Sequence, residues 1–360
     1  MTRVSGSTFI NELVQQGITR FSGVPCSSFK GLFSAPELEY MPAPHEGLAY
    51  AWAVGSHLAG RPTGVITQNS GVGNLMNALT SLAIPCGVPV FSLVSLRGWP
   101  TPESDEAQHA VMGQATKNIL RETGAMVQIM DAEHYQNQLR QLLHADAKVP
   151  RFLLVPKDLL VWKDTAPSNY EGNEHHELSA REVVQIIAEF RHSDMPIFST
   201  TGYTSRYLAS FGDLPTNFYM QGSMGHAPAL AAGYAAASGR NVIILDGDGA
   251  LAMHPGSMSL IGGSSLHVVH VVISNGMYAS TGGQTLPMTP DWKQLAHAYK
   301  YDFYLDVDTA SDLAQACIST STITGSSLIV AHTNNQVINK LPRASTLIKM
   351  NDMFMRFLAR

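Results

Sequence analysis

The strongest constraint on the fold is a regular alternation of short apolar segments with segments of helical periodicity. In the first half of the chain the apolar segments are 19–25, 63–69, 88–96, 125–130 and 151–156. Short runs that are apolar almost throughout are typical of strands in a parallel sheet, because helices cover both faces of such a sheet and leave no solvated side. The pattern therefore predicts an α/β domain.

The alternation starts again after a segment of different composition. Residues 164–178 collect Pro, Gly, Asn and charged residues and have few large apolar side chains, which predicts a linker. Further strands are predicted at 195–200, 216–220, 241–246, 266–274 and 327–333, and helices at 180–190, 227–237 and 291–299. We therefore expect two doubly wound parallel-sheet domains, 1–163 and 179–360, with no middle domain.

Composition excludes several classes of protein. Apolar residues make up 45% of the 360 residues, charged residues only 14%, and the net charge is −5, so neither a disordered chain nor a polycationic nucleic-acid binder fits. No apolar run reaches the ~18 residues of a membrane span, and the start of the chain lacks the apolar stretch of a signal peptide. We expect a cytoplasmic enzyme without a membrane or nucleic-acid partner. The three cysteines are unclustered, which favours reduced thiols.

The most informative segment is a strand, a glycine-rich turn, a helix and a second strand within 241–274. Asp248 lies between Gly247 and Gly249, so the backbone can approach a phosphate closely while the carboxylate faces a hard cation. Asn275 closes the next strand, 275 − 248 = 27 positions later, which brings both oxygen ligands to adjacent strand ends. Mg²⁺ prefers oxygen ligands and shares them with phosphates, so the segment predicts a Mg²⁺ and diphosphate site.

A dinucleotide site is the alternative for this turn. Residues 247–252 also match G-x-G-x-x-A, the dinucleotide fingerprint. That fingerprint requires an acidic residue at the end of the second strand, where this chain has Asn275. Asp248 would also place a negative charge beside a pyrophosphate. The sequence favours the metal site without eliminating the dinucleotide site.

The glycine-flanked Asp248 and the distant Asn275 resemble the diphosphate-binding motif of thiamine-diphosphate enzymes. The resemblance implies that their side chains bind Mg²⁺ together with the backbone carbonyl of Met277, and that Gly247, Gly249 and Ala250 bind the cofactor diphosphate. We also expect the helix after this turn to begin at residues 256–257 and to offer backbone N–H groups to the diphosphate.

Segment 222–226 resembles the stretch of the same family that carries an apolar wedge beneath the cofactor. Met224 would be that wedge, with Gly222 beside the cofactor. A core methionine is the alternative, and the two flanking glycines favour the wedge.

Glu46 matches the glutamate that the same family contributes from the pyrimidine-binding domain of a neighbouring chain. It follows residues 39–44 and opens an alanine-rich helix, at the kind of strand-to-helix junction where sites on such sheets are built. The resemblance implies that Glu46 assists proton loss from the cofactor, and that the active sites of a homo-oligomer, a dimer or larger, lie between chains. A carboxylate that only stabilises the helix start is the alternative.

Closer similarity is to the phosphonopyruvate and sulfopyruvate decarboxylases, and it covers nearly the whole chain. It is carried by segments 23–27, 68–74, 97–98, 105–109 and 280–284. It implies a carbon–carbon lyase that converts phosphonopyruvate to phosphonoacetaldehyde and CO₂. Cys26 stands where phosphonopyruvate decarboxylases tend to have Asp and sulfopyruvate decarboxylases can have Cys. The alternatives are therefore a sulfopyruvate decarboxylase that forms sulfoacetaldehyde, a carboligase acting on another 2-oxo acid, and a partner subunit without turnover, which Glu46 disfavours.

A small anionic 2-oxo acid requires cations and hydroxyl or backbone donors around it. The candidates for substrate binding are Cys26, Ser27, Asn69, Arg97, Ser280 and Thr281, and those for catalysis beside Glu46 are Ser27 and His109. Other roles stay open: Arg97 pairing with a structural carboxylate, His109 capping a helix, residues 280–283 forming a turn, and Cys26 filling a small apolar space.

Overall fold

The computed structural model describes residues 2–145, 148–162, 175–192, 194–321, 324–337, 341 and 347–358. The chain divides into two compact units, Met1–Tyr170 with Thr281–Pro287, and Glu171–Ser280 with Met288–Arg360. Most of the predicted linker, residues 164–174, lies outside the described residues. The domain limits at 163 and 179 therefore stay predictions.

Strands and helices alternate along both units. The strands are β1 (Val4–Ser5), β2 (Arg20–Gly23), β3 (Glu39–Pro42), β4 (Gly64–Gln68), β5 (Phe91–Leu96), β6 (Met126–Ile129), β7 (Arg151–Pro156), β8 (Leu160–Val161), β9 (Ile197–Ser199), β10 (Asn217–Tyr219), β11 (Val242–Gly247), β12 (Val268–Ser274), β13 (Met277–Tyr278), β14 (Gln284–Thr285), β15 (Phe303–Val307) and β16 (Ser326–His332). The helices are α1 (Gly6–Gln15), α2 (Lys30–Phe33), α3 (Glu46–Leu58), α4 (Val72–Ala78), α5 (Ala110–Glu122), α6 (Tyr135–Leu143), α7 (Ala180–Phe190), α8 (Tyr203–Ser210), α9 (Ala227–Ser238), α10 (Asp248–Met253), α11 (Trp292–Ala298), α12 (Ala310–Ser321) and α13 (Leu347–Leu358).

The first unit contains a six-stranded parallel sheet in the order β3-β2-β4-β5-β7-β6. All six residues of the central strand β5 are buried. Their side chains divide between two apolar clusters, one including Phe91 and Leu93 and the other including Val94 and Leu96, because alternate residues of a strand point to opposite faces. Both faces of the sheet are therefore covered, as the uninterrupted apolar strands predict.

The second unit repeats this arrangement. Its parallel sheet has the order β10-β9-β11-β12-β16-β15 and also separates two apolar clusters. In both sheets the order reverses near the centre, where connections leave on opposite sides and the carboxyl ends of neighbouring strands form a crevice. The predicted fold class, two parallel-sheet α/β domains, is confirmed.

All ten strands that were predicted from apolar runs are present, and α7, α9 and α11 begin and end within one residue of their predicted limits. The edge strand β15 was not predicted. It is half-exposed and contains Asp306, so it lacks the continuous apolar run of a central strand. Within the described ranges, every helix is too short or too polar to span a lipid bilayer.

Candidate active site

The glycine-flanked aspartate lies at the carboxyl end of β11. Asp248 is the first residue of α10 and is only 3% exposed. Strands β11 and β12 pair in parallel, with Gly247 opposite Ile273, so the ends of both strands lie side by side. The two carboxylate oxygens of Asp248 accept N–H groups of Gly249 and Gly276, each at 2.7 Å. The spacing of Asp248 and Asn275 thus corresponds to adjacent strand ends, as predicted.

The oxygen atoms at this turn suit a divalent cation. Burial raises the pKa of Asp248 to about 6, although N–H donors from the following strand end lower it. A cation beside the carboxylate would offset the desolvation that causes this rise. The amide oxygen of Asn275 accepts the N–H of Met277 at 3.2 Å, which fixes its orientation. Carboxylate, amide and carbonyl oxygens are the ligand types that Mg²⁺ prefers, so these residues fit the ion.

One pocket collects the predicted residues of the second unit. It is lined by Met224, Gly247, Asp248, Gly249, Ala250, Asn275, Met277 and Ser280. Gly222 is absent from this lining among the described residues. The pocket also has polar groups that were not predicted, contributed by Thr200, Thr201, Tyr203, Asn334 and Gln336. Thr200 and Thr201 directly follow β9 at the same edge of the sheet. The end of that predicted strand was therefore the sequence signal for these two residues.

The backbone around Met224 is held in an unusual conformation. Ser223 has φ of 50° and Gly225 has φ of 85°. A Cβ atom on Gly225 would lie 2.7 Å from the carbonyl oxygen of Ala250, so only glycine allows this loop to contact α10. Met224 lines the pocket and belongs to neither buried apolar cluster of its unit. The core-methionine alternative is therefore disfavoured.

The expectation for residues 256–257 is wrong. The helix after the turn begins at Asp248 itself, and a separate 3₁₀ turn spans Pro255–Leu260. The N–H of Ser257 donates to the carbonyl of His254 at 2.9 Å, so it is already used within the turn. Pro255 has no N–H and cannot continue α10, which explains the break.

Glu46 is buried at the start of α3 with its carboxylate held in place. It is 5% exposed, and Oε2 accepts a hydrogen bond from Nδ2 of Asn74 at 2.8 Å. A Cβ atom on Gly71 would lie 2.2 Å from Oε1, so the missing side chain there makes room for the carboxylate. Burial raises the pKa of Glu46, while the Asn74 hydrogen bond lowers it. The ring of His45, not Glu46, caps the helix by accepting the N–H of Gly47 at 3.0 Å.

Asn74 was not identified as a site residue from the sequence. It lies within segment 68–74, which carried part of the family resemblance, but its contact with Glu46 joins residues 28 positions apart. Only the packing of α3 beside α4 brings them together. The glycines within the same segment were the available signal, because they mark close approach of the backbone to another group.

Arg97 pairs with a carboxylate, the alternative that the sequence left open. Its Nη2 atom donates to Oδ1 of Asp105 at 2.7 Å, and Nε donates to Oδ2. Lys157 contacts Oδ1 of Asp105 at 3.1 Å, and Glu106 lies 3.6 Å from Arg97. Burial alone would raise the pKa of Asp105, but the hydrogen bonds from Arg97 and Lys157 hold that pKa well below its usual range. The amide of Asn69 binds the backbone carbonyl and N–H of Arg97 at 2.8 and 3.2 Å, so Asn69 positions this loop.

Three further predicted residues of the first unit differ in their surroundings. Cys26 is 4% exposed within an apolar cluster, and burial raises its pKa to about 11, which fits the small apolar filler. Ser27 is exposed and begins a 3₁₀ turn. His109 is buried at the N-cap of α5, makes no capping hydrogen bond and lies 3.7 Å from Glu106.

The two predicted hydroxyl residues after β13 are also placed differently from each other. Ser280 is exposed and lines the pocket of the second unit. Thr281 contacts Oε1 of Gln284 at 3.2 Å within its own turn, in agreement with the turn alternative.

Similarity to known proteins identifies the family. Residues 200–331 match the family described as thiamine pyrophosphate enzyme, C-terminal TPP binding domain. The chain is 32% identical over 348 residues to a phosphonopyruvate decarboxylase from Streptomyces viridochromogenes, a match that covers 91% of this chain and 87% of that protein. The chain belongs to this family of thiamine-diphosphate-dependent decarboxylases.

Two other relatives of the family are sulfopyruvate decarboxylases. That of Methanosarcina acetivorans is 28% identical over 303 residues, 76% of each chain. The enzyme of Methanothermobacter thermautotrophicus has separate subunits. Its alpha subunit is 37% identical over 109 residues, a match that covers 29% of this chain and 65% of the subunit. Its beta subunit is 38% identical over 92 residues, a match that covers 25% of this chain and 50% of the subunit.

Family membership settles several expectations. The protein is a carboxy-lyase with a binding domain for thiamine diphosphate, so the predicted enzyme class and organic cofactor are confirmed. The matched range includes the glycine-flanked Asp248, which favours thiamine diphosphate over a dinucleotide in this domain. The alternative of a partner subunit without turnover is likewise disfavoured.

Proposed function

We propose that this enzyme decarboxylates phosphonopyruvate to phosphonoacetaldehyde and CO₂, with thiamine diphosphate and Mg²⁺. The observation that carries the proposal is the 32% identity to a phosphonopyruvate decarboxylase over 91% of this chain. The single-chain sulfopyruvate relative is less similar and is matched over a smaller share, 76%.

In this proposal the pocket of the second unit holds the cofactor. The side chains of Asp248 and Asn275 and the carbonyl of Met277 would bind Mg²⁺, and the turn 247–250 would bind the diphosphate. Met224 would support the rings from below. When bound, thiamine diphosphate supplies an electron sink for the pair released as CO₂ leaves.

Glu46 would exchange a proton with the cofactor's pyrimidine ring. Because burial raises the pKa of Glu46, its carboxyl group can hold a proton at a pH where an exposed glutamate is ionised. The hydrogen bond from Asn74 keeps one oxygen fixed, so the other oxygen, beside Gly71, is the one available to a ring nitrogen.

Arg97 would contribute positive charge near the substrate while it remains bound to Asp105. Its bonds to Asp105 use Nε and Nη2, and among the described contacts none uses Nη1. Lys157 adds a second cation to the same cluster. A phosphonate and a carboxylate on one small molecule would be attracted to such a pair of cations.

We further propose that the enzyme is a homo-oligomer in which Glu46 of one chain acts on the cofactor bound to another. Helix α3, which begins with Glu46, exposes Leu48 and Trp52 at 58% and 54%, four residues apart and hence on the same face. Large apolar side chains exposed together are typical of interfaces. A second copy of the same helix is the partner that supports a shared site.

Sulfopyruvate decarboxylation is the second candidate, favoured by Cys26 and by the sulfopyruvate relatives. Measuring CO₂ release from phosphonopyruvate, sulfopyruvate, pyruvate and benzoylformate, with added cofactor and Mg²⁺, distinguishes the two candidate functions. We expect phosphonopyruvate to have the highest kcat/KM. A higher kcat/KM for sulfopyruvate would replace the first candidate by the second, and turnover of pyruvate or benzoylformate alone would refute both.

A further inference from the structure

A group of metal-binding side chains lies at the end of the second sheet, outside the cofactor pocket. One ring nitrogen of His176, one of His332 and one carboxylate oxygen of Asp308 lie within 4.8 Å of one another. Nδ1 of His176 is 3.0 Å from Oδ1 of Asp308, and the two imidazole rings stack with centroids 5.4 Å apart. Asp306 contacts Nε2 of His332 at 2.6 Å.

The fold brings these residues together from three separate segments. His332 is the last residue of β16, and Asp306 and Asp308 lie at the end of the neighbouring strand β15. His176 precedes α7 and is fastened to the segment after β16 by Asn334, whose Nδ2 donates to the carbonyl of His176 at 3.2 Å. The N–H of Asn334 also donates to the carbonyl of Leu178 at 2.8 Å. These two hydrogen bonds from Asn334 therefore hold the backbone at His176 beside the end of β16, where His332 lies.

The distance between His176 and Asp308 suits two ligands of one small divalent ion. Two ligands that each lie about 2.0–2.1 Å from a tetrahedral ion are separated by about 3.3 Å, close to the separation of His176 and Asp308. Two neutral imidazoles and a carboxylate are the ligand types of Zn²⁺ and similar borderline ions, whereas Mg²⁺ prefers oxygen alone. The second carboxylate, Asp306, is placed to orient His332, as carboxylates commonly do for a metal-binding histidine.

Among the described residues, a second group of three side chains has possible metal-ligand atoms equally close together, but its surroundings differ from those of His176 and His332. It comprises Asp105, Glu106 and His109. There Asp105 already binds Arg97 and Lys157, so its negative charge is neutralised without an added ion. Around His176 and His332 the carboxylates of Asp308 and Asp306 contact the two imidazoles, and Asp306 also forms a hydrogen bond with Tyr304. The local charge is thus left for a bound cation to neutralise.

We propose that His176, His332 and Asp308 bind a Zn²⁺-class transition-metal ion, with water completing the coordination. The ion would join the start of α7 to the carboxyl ends of β15 and β16. Asn334, which fastens His176, also lines the cofactor pocket with Gln336. The ion would therefore stabilise one wall of that pocket, as a structural site separate from the Mg²⁺ ligands at Asp248 and Asn275. This inference does not depend on which 2-oxo acid is the substrate.

Equilibrium dialysis tests the proposal on the full-length enzyme with thiamine diphosphate and saturating Mg²⁺ present. After removal of transition metals with a chelator, the protein is dialysed against Zn²⁺, and metal content is measured per chain. We expect one tightly bound Zn²⁺ per chain, and a loss of affinity of at least about tenfold in His176→Gln and in Asp308→Asn. Bound Co²⁺ should show the visible absorption of a tetrahedral site in the wild type and lose it in both variants.

The matched control is His134→Gln. His134 forms an exposed pair with Asp131 at 2.8 Å, the same kind of contact without a second imidazole. This variant should bind Zn²⁺ as the wild type does. Wild-type protein that binds no stoichiometric Zn²⁺ would overturn the proposal, and so would unchanged binding in both His176→Gln and Asp308→Asn. The tested side chains are partly exposed, and a circular dichroism spectrum like that of the wild type confirms that each variant is folded.

Discussion

At the scale of single residues, Glu46 combines burial with a fixed carboxylate. For Glu46→Gln we expect kcat to fall by about 10²–10⁴-fold, because the amide cannot exchange the proton, while thiamine diphosphate still binds. The same change should stabilise the fold at neutral pH. Burial raises the pKa of Glu46 above its ordinary value of 4.5, so the unfolded chain ionises first as pH rises and wild-type stability falls. Thermal denaturation should give equal melting temperatures below pH 4.5 and a higher one for the variant several units above it.

Glu12→Gln is the matched control for this variant. Glu12 is another glutamate that is 5% exposed in the same unit, and its carboxylate accepts a hydrogen bond from Gln16, the residue that follows α1. The Glu12→Gln enzyme should retain wild-type turnover. If Glu46→Gln also retained turnover, the catalytic assignment would be refuted.

The three cysteines should differ sharply in reactivity. Cys86 is exposed, whereas burial raises the pKa of Cys26 and of Cys317 to about 11. A thiol reagent near neutral pH should therefore label one cysteine per chain quickly, and Cys86→Ser should abolish that rapid phase. Labelling of the other two should increase only as the pH approaches 11 or when the protein unfolds. Rapid labelling of Cys26 in Cys86→Ser would contradict its placement as a buried filler.

The sequence predicted the residues whose position depends on strand ends. Asp248 and Asn275 follow two neighbouring parallel strands, so their spacing alone indicated that they meet. The contact of Glu46 with Asn74 was not predicted, and neither was the identity of the carboxylate that Arg97 binds, Asp105. Both depend on how a loop or a helix packs over the sheet edge, and no periodicity in the sequence reports that geometry.

At the scale of elements, the start of α4 makes room for the carboxylate of Glu46. A Cβ atom on Gly71 would lie 2.2 Å from Oε1 of Glu46 and 2.6 Å from Oγ1 of Thr67. Because both atoms belong to buried side chains, Gly71→Ala should lower the melting temperature and displace the carboxylate of Glu46. A displacement of about 1 Å is expected to lower kcat about 10²-fold.

Gly73→Ala separates this effect from a general effect of alanine in α4. Gly73 lies two residues further along, and no atom would come within 4 Å of its added Cβ. Steady-state kinetics should show wild-type kcat for Gly73→Ala. Equal losses of kcat in the two variants would mean that the space beside Glu46 is not what matters.

Apolar periodicity predicted the central elements and failed at the margins. Strands covered on both faces are apolar throughout, so β5, β11 and β12 were evident from the sequence. The edge strand β15 is half-exposed and escaped detection. The helix after Gly247 was expected at residues 256–257 but begins at Asp248, and Pro255 marks the break after α10.

At the scale of the whole molecule, the two units carry different parts of the proposed site. Glu46 belongs to the first unit and Asp248 to the second. The Methanothermobacter thermautotrophicus sulfopyruvate decarboxylase has separate alpha and beta subunits, each matching under a third of this chain. The feature of this chain that supports the proposed homo-oligomer is the exposure of Leu48 and Trp52 on α3.

Complementation between two inactive variants tests that shared site most directly. Glu46→Gln and Asp248→Ala should each lack activity alone. When they are co-expressed with different tags, a mixed dimer retains one site in which Glu46 and Asp248 are both intact, on different chains. Random pairing should then restore about a quarter of the wild-type CO₂ release per chain. Activity no higher than that of either variant alone, in dimers shown to contain both tags, would contradict a site shared between chains.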